Sequence, residues 1–347
     1  MSYQIITDSC CDYPTPMYET LGLTFVPLTV EFRGETFDDK NDDSLKGMYD
    51  GLRAGEVAKT SAVNPSRWSE VIEPALEQGQ DVLVLAFSSG LSTTYQSAVI
   101  AAQELGEKYP DRAIRVVDTL SASMGQGLLV WYACKKRDQG MPLEELYNWA
   151  MDARLHLCHW FTVDDLMYLK RGGRISAATA LVGTMLQIKP VLHMDDEGHL
   201  ISMTKARGRR AAIDALVRKA QELGEGYDNS TMFISHGDCR EDAEYLARQL
   251  KEKCGVKEVV ISYVGAVIGS HSGPGTLALF FLGSHREKPP SGVYAGGCYY
   301  FHTMPKTCRW CRRSRRSCEN DCRNCRNHSF RSSAVPPWCG CKHPVSG

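Results

Sequence analysis

The run Asp81-Val-Leu-Val-Leu-Ala-Phe87 is apolar at every position after the first, not at alternate positions. A strand of that kind is buried on both faces, so it demands cover above and below and points to a parallel sheet flanked by helices. The neighbouring pattern agrees. Tyr3 to Thr7 reads as a buried strand ending in Asp8-Ser9, Leu23 to Phe32 as a β-rich stretch broken by Pro27, and Ala113 to Val117 as another strand. Helical spacing covers 44–53, 66–76, 92–105, 122–137 and 142–155 between these runs. Near residues 156–160 the character changes. Trp160 to Val163 is strand-like, with helical patterns over 164–171 and 177–186. Short strands at 191–194 and 200–203 flank the turn Asp195-Asp-Glu-Gly198. Helices over 208–223 and 240–252 then alternate with strands at 231–235, 258–263 and 276–282. The expected architecture is α/β in two domains: an N-terminal Rossmann-like parallel sheet over 1–157 and a second α/β domain over 158–284.

Charge and cysteine divide the chain a second time. The formal net charge is −1, yet the last 60 residues hold 11 Lys and Arg against 2 Asp and Glu. They also hold eight of the 14 cysteines; the other six are scattered without metal-ligand spacing and read as reduced thiols. The acidic body argues against nucleic acid as its partner. No apolar run approaches the ~18 residues of a membrane span. Met1-Ser-Tyr-Gln-Ile-Ile has no basic segment leading into an apolar one, so cytoplasmic residence is the expectation.

Small hydroxyls and glycines collect at the ends of the apolar runs. Thr7-Asp-Ser-Cys-Cys-Asp12 follows the first strand, and Lys59-Thr-Ser-Ala-Val-Asn-Pro-Ser66 precedes a helix. Ser88-Ser-Gly-Leu-Ser-Thr-Thr-Tyr95 follows the apolar strand, and Asp118-Thr-Leu-Ser121 the next one. Open parallel sheets bind ligands beyond the carboxyl ends of their strands, where helix N-termini offer free N–H groups to anions. Ser92 and Thr93 are best placed for this, although Ser and Thr before helices also serve as plain N-caps. Asp8 and Asp12 read as turn and cap residues in preference to metal ligands. The segment Ile268-Gly-Ser-His-Ser-Gly-Pro-Gly275 sets one histidine in a glycine-rich stretch. It reads either as a turn between strands or as one wall of an anion site. Lys170-Arg-Gly-Gly-Arg-Ile-Ser176 and Lys205-Ala-Arg207 supply cations, as ligand groups or as solvated surface.

Thr7-Asp-Ser9, Thr60-Ser61 with the following Asn-Pro, Leu91-Ser-Thr-Thr-Tyr95, Tyr168-Leu-Lys-Arg-Gly-Gly-Arg-Ile-Ser176 and Ile268–Gly275 fall in order over about residues 3–283. Together they resemble the DegV family of bacterial fatty-acid-binding proteins. The resemblance implies a tunnel between the two domains holding one long-chain fatty acid, with no other cofactor and no catalysis by the protein itself. It implies that Thr60 and Ser92 bond the carboxylate with His271 beside them. Ser9, Ser61, Thr93, Arg171 and Arg207 are further candidates around the head group or a docking surface. It also implies a partner, a separate fatty-acid kinase that converts the bound acid to an acyl-phosphate. Three positions depart from the family pattern: Thr93 replaces a frequent glycine, Ala62 a common glutamine and Ser270 a frequent threonine.

A different reading makes Ser92 and His271 the nucleophile and base of a hydrolase or phosphoryl-transfer enzyme. Ser88-Ser-Gly-Leu-Ser92 is not the G-x-S-x-G elbow, however, and no third orienting acid is evident. The stretch 288–347 has no counterpart in the family. It reads first as an aberrant or frameshifted extension and second as a zinc module built on Cys308, Cys311, Cys322 and Cys325. A disordered basic tail, able to touch nucleic acid, is the third reading.

Overall fold

The computed structural model describes residues 3–39, 44–175 and 187–288. The helix expected over 177–186 lies outside the described residues, as does the cysteine-rich stretch from 289 on with Cys308, Cys311, Cys322 and Cys325. The chain opens with β1 (Tyr3–Asp8), α1 (Thr15–Thr20), β2 (Thr24–Val26), β3 (Thr29–Phe32) and β4 (Glu35–Asp38). Next come α2 (Leu45–Arg53), β5 (Lys59–Ser61), α3 (Pro65–Glu77), β6 (Asp81–Ala86), α4 (Thr94–Lys108) and β7 (Ile114–Asp118). Two helices, α5 (Met124–Asp138) and α6 (Leu143–Ala153), lead to β8 (Leu157–Thr162) and α7 (Met167–Arg171). A hairpin of β9 (Ile188–Met194) and β10 (Leu200–Arg207) is followed by α8 (Arg209–Leu223), β11 (Thr231–His236) and α9 (Arg240–Cys254). The last elements are β12 (Glu258–Tyr263), α10 (Ala266–Ser272) and β13 (Leu277–Leu282).

The first sheet has the order β2-β1-β6-β7 and every pairing in it is parallel. Its two faces enter different cores: Ile5, Leu83 and Leu85 pack toward α5 and α6, while Ile6, Val82 and Val84 pack toward α3 and α4. That is the two-sided burial the apolar run requires. The second sheet, β10-β9-β8-β13-β11-β12, is antiparallel except for the β11–β12 pair. Side chains alternate along β13. Leu277, Leu279 and Phe281 belong to the core beneath α8 and α9, and Ala278 and Phe280 to the core shared with α5.

Two expectations from the sequence are corrected. Lys59-Thr-Ser61 is not a turn but a strand, because it pairs antiparallel with Thr29-Val-Glu31 in a third, small sheet β4-β3-β5. Residues 266–272 are not a glycine-rich turn but a short helix, stabilised from outside. Asp39 Oδ1 accepts the Ala266 N–H at 2.9 Å and the Val267 N–H at 3.4 Å, satisfying donors that a helix start leaves free.

Arg286, two residues before the cysteine- and arginine-rich stretch that begins at 288, belongs to the folded body. Arg286 is 2% exposed. Its guanidinium donates to the carbonyls of Leu157 (3.0 Å), Asp195 (2.7 Å) and Arg154 (2.6 Å) and to Ser121 Oγ (3.4 Å). Burial without a paired carboxylate lowers its pKa to about 10, so it stays charged at neutral pH. This one side chain ties the start of β8, the turn of the β9–β10 hairpin, the end of α6 and the loop before α5. Replacing it in Arg286→Leu removes four hydrogen bonds made by a buried charged group, and we expect a loss of about 3 kcal/mol or more in urea unfolding. An unchanged midpoint would show that these bonds carry no net stability.

Helix α5 lies between the two large sheets, and Met124 through Val130 are all buried. A Cβ on Gly127 would sit 2.7 Å from the Tyr13 ring and 2.9 Å from the Cys11 carbonyl oxygen. Backbone cannot yield as a flexible side chain does, so Gly127→Ala is expected to cost about 1–3 kcal/mol of stability by overpacking. The check is a denaturation midpoint, with Gly106→Ala, where nothing lies within 4 Å, as the reference substitution.

Candidate ligand-binding site

Where α5 begins, the sheets enclose a cavity of about 490 Å³. Its floor is one face of β8 and β13, bearing His159, Phe161, Ala278 and Phe280. Met194 and Leu200 close it from the hairpin, and Ala122 and Ser123 from the loop before α5. Opposite them stand the turns of the first sheet and one side of α10, including Val267, Ile268, His271 and Ser272.

Buried carboxyls hold those turns. Asp8 Oδ2 accepts the Phe87 N–H at 2.7 Å and Oδ1 the Cys10 N–H at 3.0 Å, joining the ends of β1 and β6. Burial raises the Asp8 pKa to about 7 even so. Asp118 Oδ1 accepts the Ser89 and Leu120 N–H groups, each at 3.1 Å. Asp8 thus caps and braces, as the sequence suggested. Among the described residues no group of three or more His, Cys, Asp or Glu could hold a metal ion.

Two separate hydrogen-bonded pairs engage the cavity's candidate polar residues. Thr60 lies in β5 opposite Val30, and its Oγ1 is 2.7 Å from His271 Nε2 although 211 residues separate them in sequence. The other side of the imidazole packs on Gly172, where any side chain would collide with the ring. Burial, with help from nearby Arg174 and Arg171, lowers the His271 pKa to about 4, so the ring is neutral at pH 7. Ser92 Oγ accepts the Thr94 N–H at 3.2 Å and lies 2.9 Å from Thr94 Oγ1. It therefore satisfies the first N–H of α4 and lines the cavity at once. His271 bonds Thr60 and Ser92 bonds Thr94, so the nucleophile–base pair of the hydrolase reading is not formed.

Of the remaining candidates, Ser61 and Thr93 line the cavity. Ser9 is instead spent inside the fold, donating to Asp39 Oδ2 at 2.9 Å and accepting the Leu28 N–H at 3.1 Å. Arg171 is exposed and stacks 4.9 Å over the Tyr168 ring, and Arg207 is exposed at the end of β10. Two further groups line the cavity that the sequence reading passed over. Arg174, half-buried, donates to the Leu91 carbonyl at 3.2 Å and to the Gly172 carbonyl. Its only sequence signal was membership of the same Lys-Arg-Gly-Gly-Arg turn that holds Arg171. Ser272 Oγ is buried and has no partner among the described residues, and its only sequence signal was membership of the Ile268–Gly275 motif that holds His271.

Residues 2–284 match the profile described as an uncharacterised protein of the DegV family. The chain belongs to the DegV family. A DegV domain-containing protein of Clostridium perfringens is 45% identical over 287 residues, spanning 82% of this chain and 99% of the relative. The fold is also that of a DegV-family protein from Thermus thermophilus whose structure is reported for fatty acid binding. That pair shares 33% identity and a TM-score of 0.74, over 82% of this chain and 100% of the other. A DegV lipid-binding protein from Thermotoga maritima gives 31% identity and a TM-score of 0.72, over 83% and 100%. No helix among the described residues is long and apolar enough to cross a membrane.

The neutral His271 has a measurable consequence for this DegV-family chain. Between pH 6.5 and about 4 the unfolded imidazole takes up a proton that the folded one refuses. Stability carried by this residue is therefore lost as pH falls through that window. We expect the His271 ring resonances to titrate near 4 in ligand-free protein. The acid-side loss of stability should be shallower in His271→Gln, and a ring titrating near 6.5 would contradict the burial argument.

Proposed function

We propose that this chain binds one long-chain fatty acid in the cavity, with its carboxylate held by Thr60, Ser92 and His271. The observation that carries the reading is the cavity itself. It is lined by apolar side chains along β8, β13 and the hairpin, and its polar lining includes the Thr60–His271 hydrogen bond and Ser92. Its volume falls in the range of small-molecule sites, roughly 300–1,000 Å³. Solved relatives of the same fold bind fatty acid or lipid, which supports the same ligand class here.

The energetics divide between the two ends of the ligand. Burying an acyl chain at ~0.8 kcal/mol per CH₂ yields on the order of 10 kcal/mol before association costs. The tail therefore sets affinity and the polar cluster sets orientation. A carboxylate held by hydroxyls and a neutral imidazole keeps nucleophilic oxygen character that a tight ion pair would quench. On this reading the protein is a carrier and not an enzyme. A separate fatty-acid kinase forms the bond between carboxylate oxygen and phosphorus and breaks the phosphoanhydride of its nucleotide. The family resemblance supports that partner, and the exposed Arg171 beside the cavity-lining turn suits a docking role.

Native mass spectrometry of the protein purified from cells is expected to show one long-chain acid per chain. The double substitution Thr60→Val with Ser92→Ala removes two hydrogen bonds to a charged group, and each is worth about 1.5–3 kcal/mol. Affinity for added palmitate should fall by roughly a hundredfold or more. If no acid co-purifies and none binds on addition, the proposal fails.

A further inference from the structure

Met194, the last residue of β9, and Leu200, the first of β10, pair across the hairpin, and both line the cavity. The turn between them, residues 195–199, does not line it. That turn rests instead on the first sheet. Ser88 Oγ donates to the Gly198 carbonyl at 2.9 Å, and a Cβ on Gly198 would collide with Ser88 Oγ and lie 3.2 Å from Leu120 Cα. The Ser88 N–H donates to the Ser121 carbonyl at 3.1 Å, so the turns after β6 and β7 form one seat. Arg286 pins the hairpin to that seat through the Asp195 carbonyl (2.7 Å) and Ser121 Oγ (3.4 Å). The described lining residues at this end are Ser89, Ala122, Met194 and Leu200, each one or two positions from one of these contacts. The turn is also stiff. Asp195 Oδ1 accepts the Glu197 N–H at 3.1 Å and the His199 N–H at 2.8 Å, and the Gly198 N–H donates to the Asp195 carbonyl at 3.1 Å.

This end of the floor lies away from His271. Phe280 is four residues beyond Thr276, so it sits about 13 Å further from α10 at ~3.4 Å per residue. Phe280 pairs with His159, and the antiparallel pairing of Phe161 with Leu192 sets Met194 level with His159, two strands across. A chain whose carboxylate is held at Thr60 and His271 therefore runs toward the hairpin. Gly90 decides how closely the turn approaches. A Cβ there would lie 2.6 Å from the Gly198 carbonyl oxygen and 2.9 Å from that of Glu197, so the turn would have to lift. Gly90 does not take a positive φ, so the glycine is needed for this approach and not for its own conformation. It does not line the cavity, and a side chain on it would change the wall only by moving the hairpin. We infer that the 195–199 turn is the stop that sets the longest acyl chain this cavity accepts, and that Gly90 is the specificity-determining position that fixes it. The inference rests on the fatty-acid reading above and adds a length limit to it.

The test is the affinity of the full chain for saturated straight-chain acids from lauric to behenic. In the wild type, affinity should rise about fourfold for each added CH₂ up to one length and fall beyond it. In Gly90→Ala, and further in the bulkier Gly90→Leu, that limit should move to longer acids. The affinity of the first acid beyond the wild-type limit, relative to the last one within it, should rise roughly tenfold. β10 is an edge strand, so the hairpin can lift without parting the middle of its sheet. Should neither variant fold, ¹H–¹⁵N spectra of the wild type decide: an acid longer than the limit must shift the Gly90 and Gly198 amides, and a shorter one must not. A series without a limit, a limit that stays in place in the folded variants, or turn amides indifferent to chain length would each overturn the inference. Failure of the fatty-acid reading looks different, since then no acid of the series binds.

Discussion

Helix α5 touches both large sheets at once, and the contacts that fix its position are made through glycine. Gly125 lies against His159 and Phe280 of the second sheet, and Gly127 against the Tyr13 ring and the Cys11 carbonyl below the first. Neither position has room for a Cβ, so the separation of the sheets is set by direct approach of helix backbone to the residues on each side. At the N-terminal end the helix gives out into Ala122 and Ser123. Both are small, and Ser123 hydroxyl bonds Asp12 from the first half of the chain and lies 2.8 Å from Ser235 Oγ of the second. The cavity is the gap left where the spacer begins. Its walls are consequently apolar sheet faces, and its polar groups come from the turns and from α10, which packs in the core of the first sheet through Ala266 and Val267.

The same arrangement explains why the first half was legible and the second less so. Parallel strands covered on both sides leave continuous apolar runs such as Val82 to Phe87, and their turns carry hydroxyls in a recognisable order. Strands β8 to β13 lie in a mixed sheet that buries one face under α8 and α9 and the other under α5. Their apolar runs look the same, yet nothing in periodicity distinguishes antiparallel from parallel pairing. Element type was read wrongly where a distant partner decides it. Lys59-Thr-Ser61 becomes a strand through Thr29-Val-Glu31, and 266–272 a helix through Asp39.

The site shows the same division. Thr60, Ser92 and His271 belong to ordered motifs, so the sequence named them, and the fold places all three on one cavity. Arg174 and Ser272 lie inside two of those motifs without being singled out, and His159 lies in none, because what marks each is a missing or distant partner and not a neighbour in sequence. Arg286 is the clearest case. It stands just before the basic stretch that begins at 288, yet it is buried and its four acceptors come from the loop before α5, the α6–β8 junction and the hairpin turn. A one-dimensional reading weighs an arginine by the residues next to it. The fold weighs it by the acceptors its guanidinium can reach.

These particulars bear on how the cavity would treat an acid. Arg174 brings positive charge to the polar end, but its guanidinium already donates to the carbonyls of Leu91 and Gly172, so its reach is constrained. His271 is neutral and already engaged with Thr60. A carboxylate entering there meets donors fixed by the fold, not a flexible cation that could follow it, and its orientation is selected more strongly than its affinity is raised. Affinity then depends on how well the chain fills the space between β8, β13 and the hairpin.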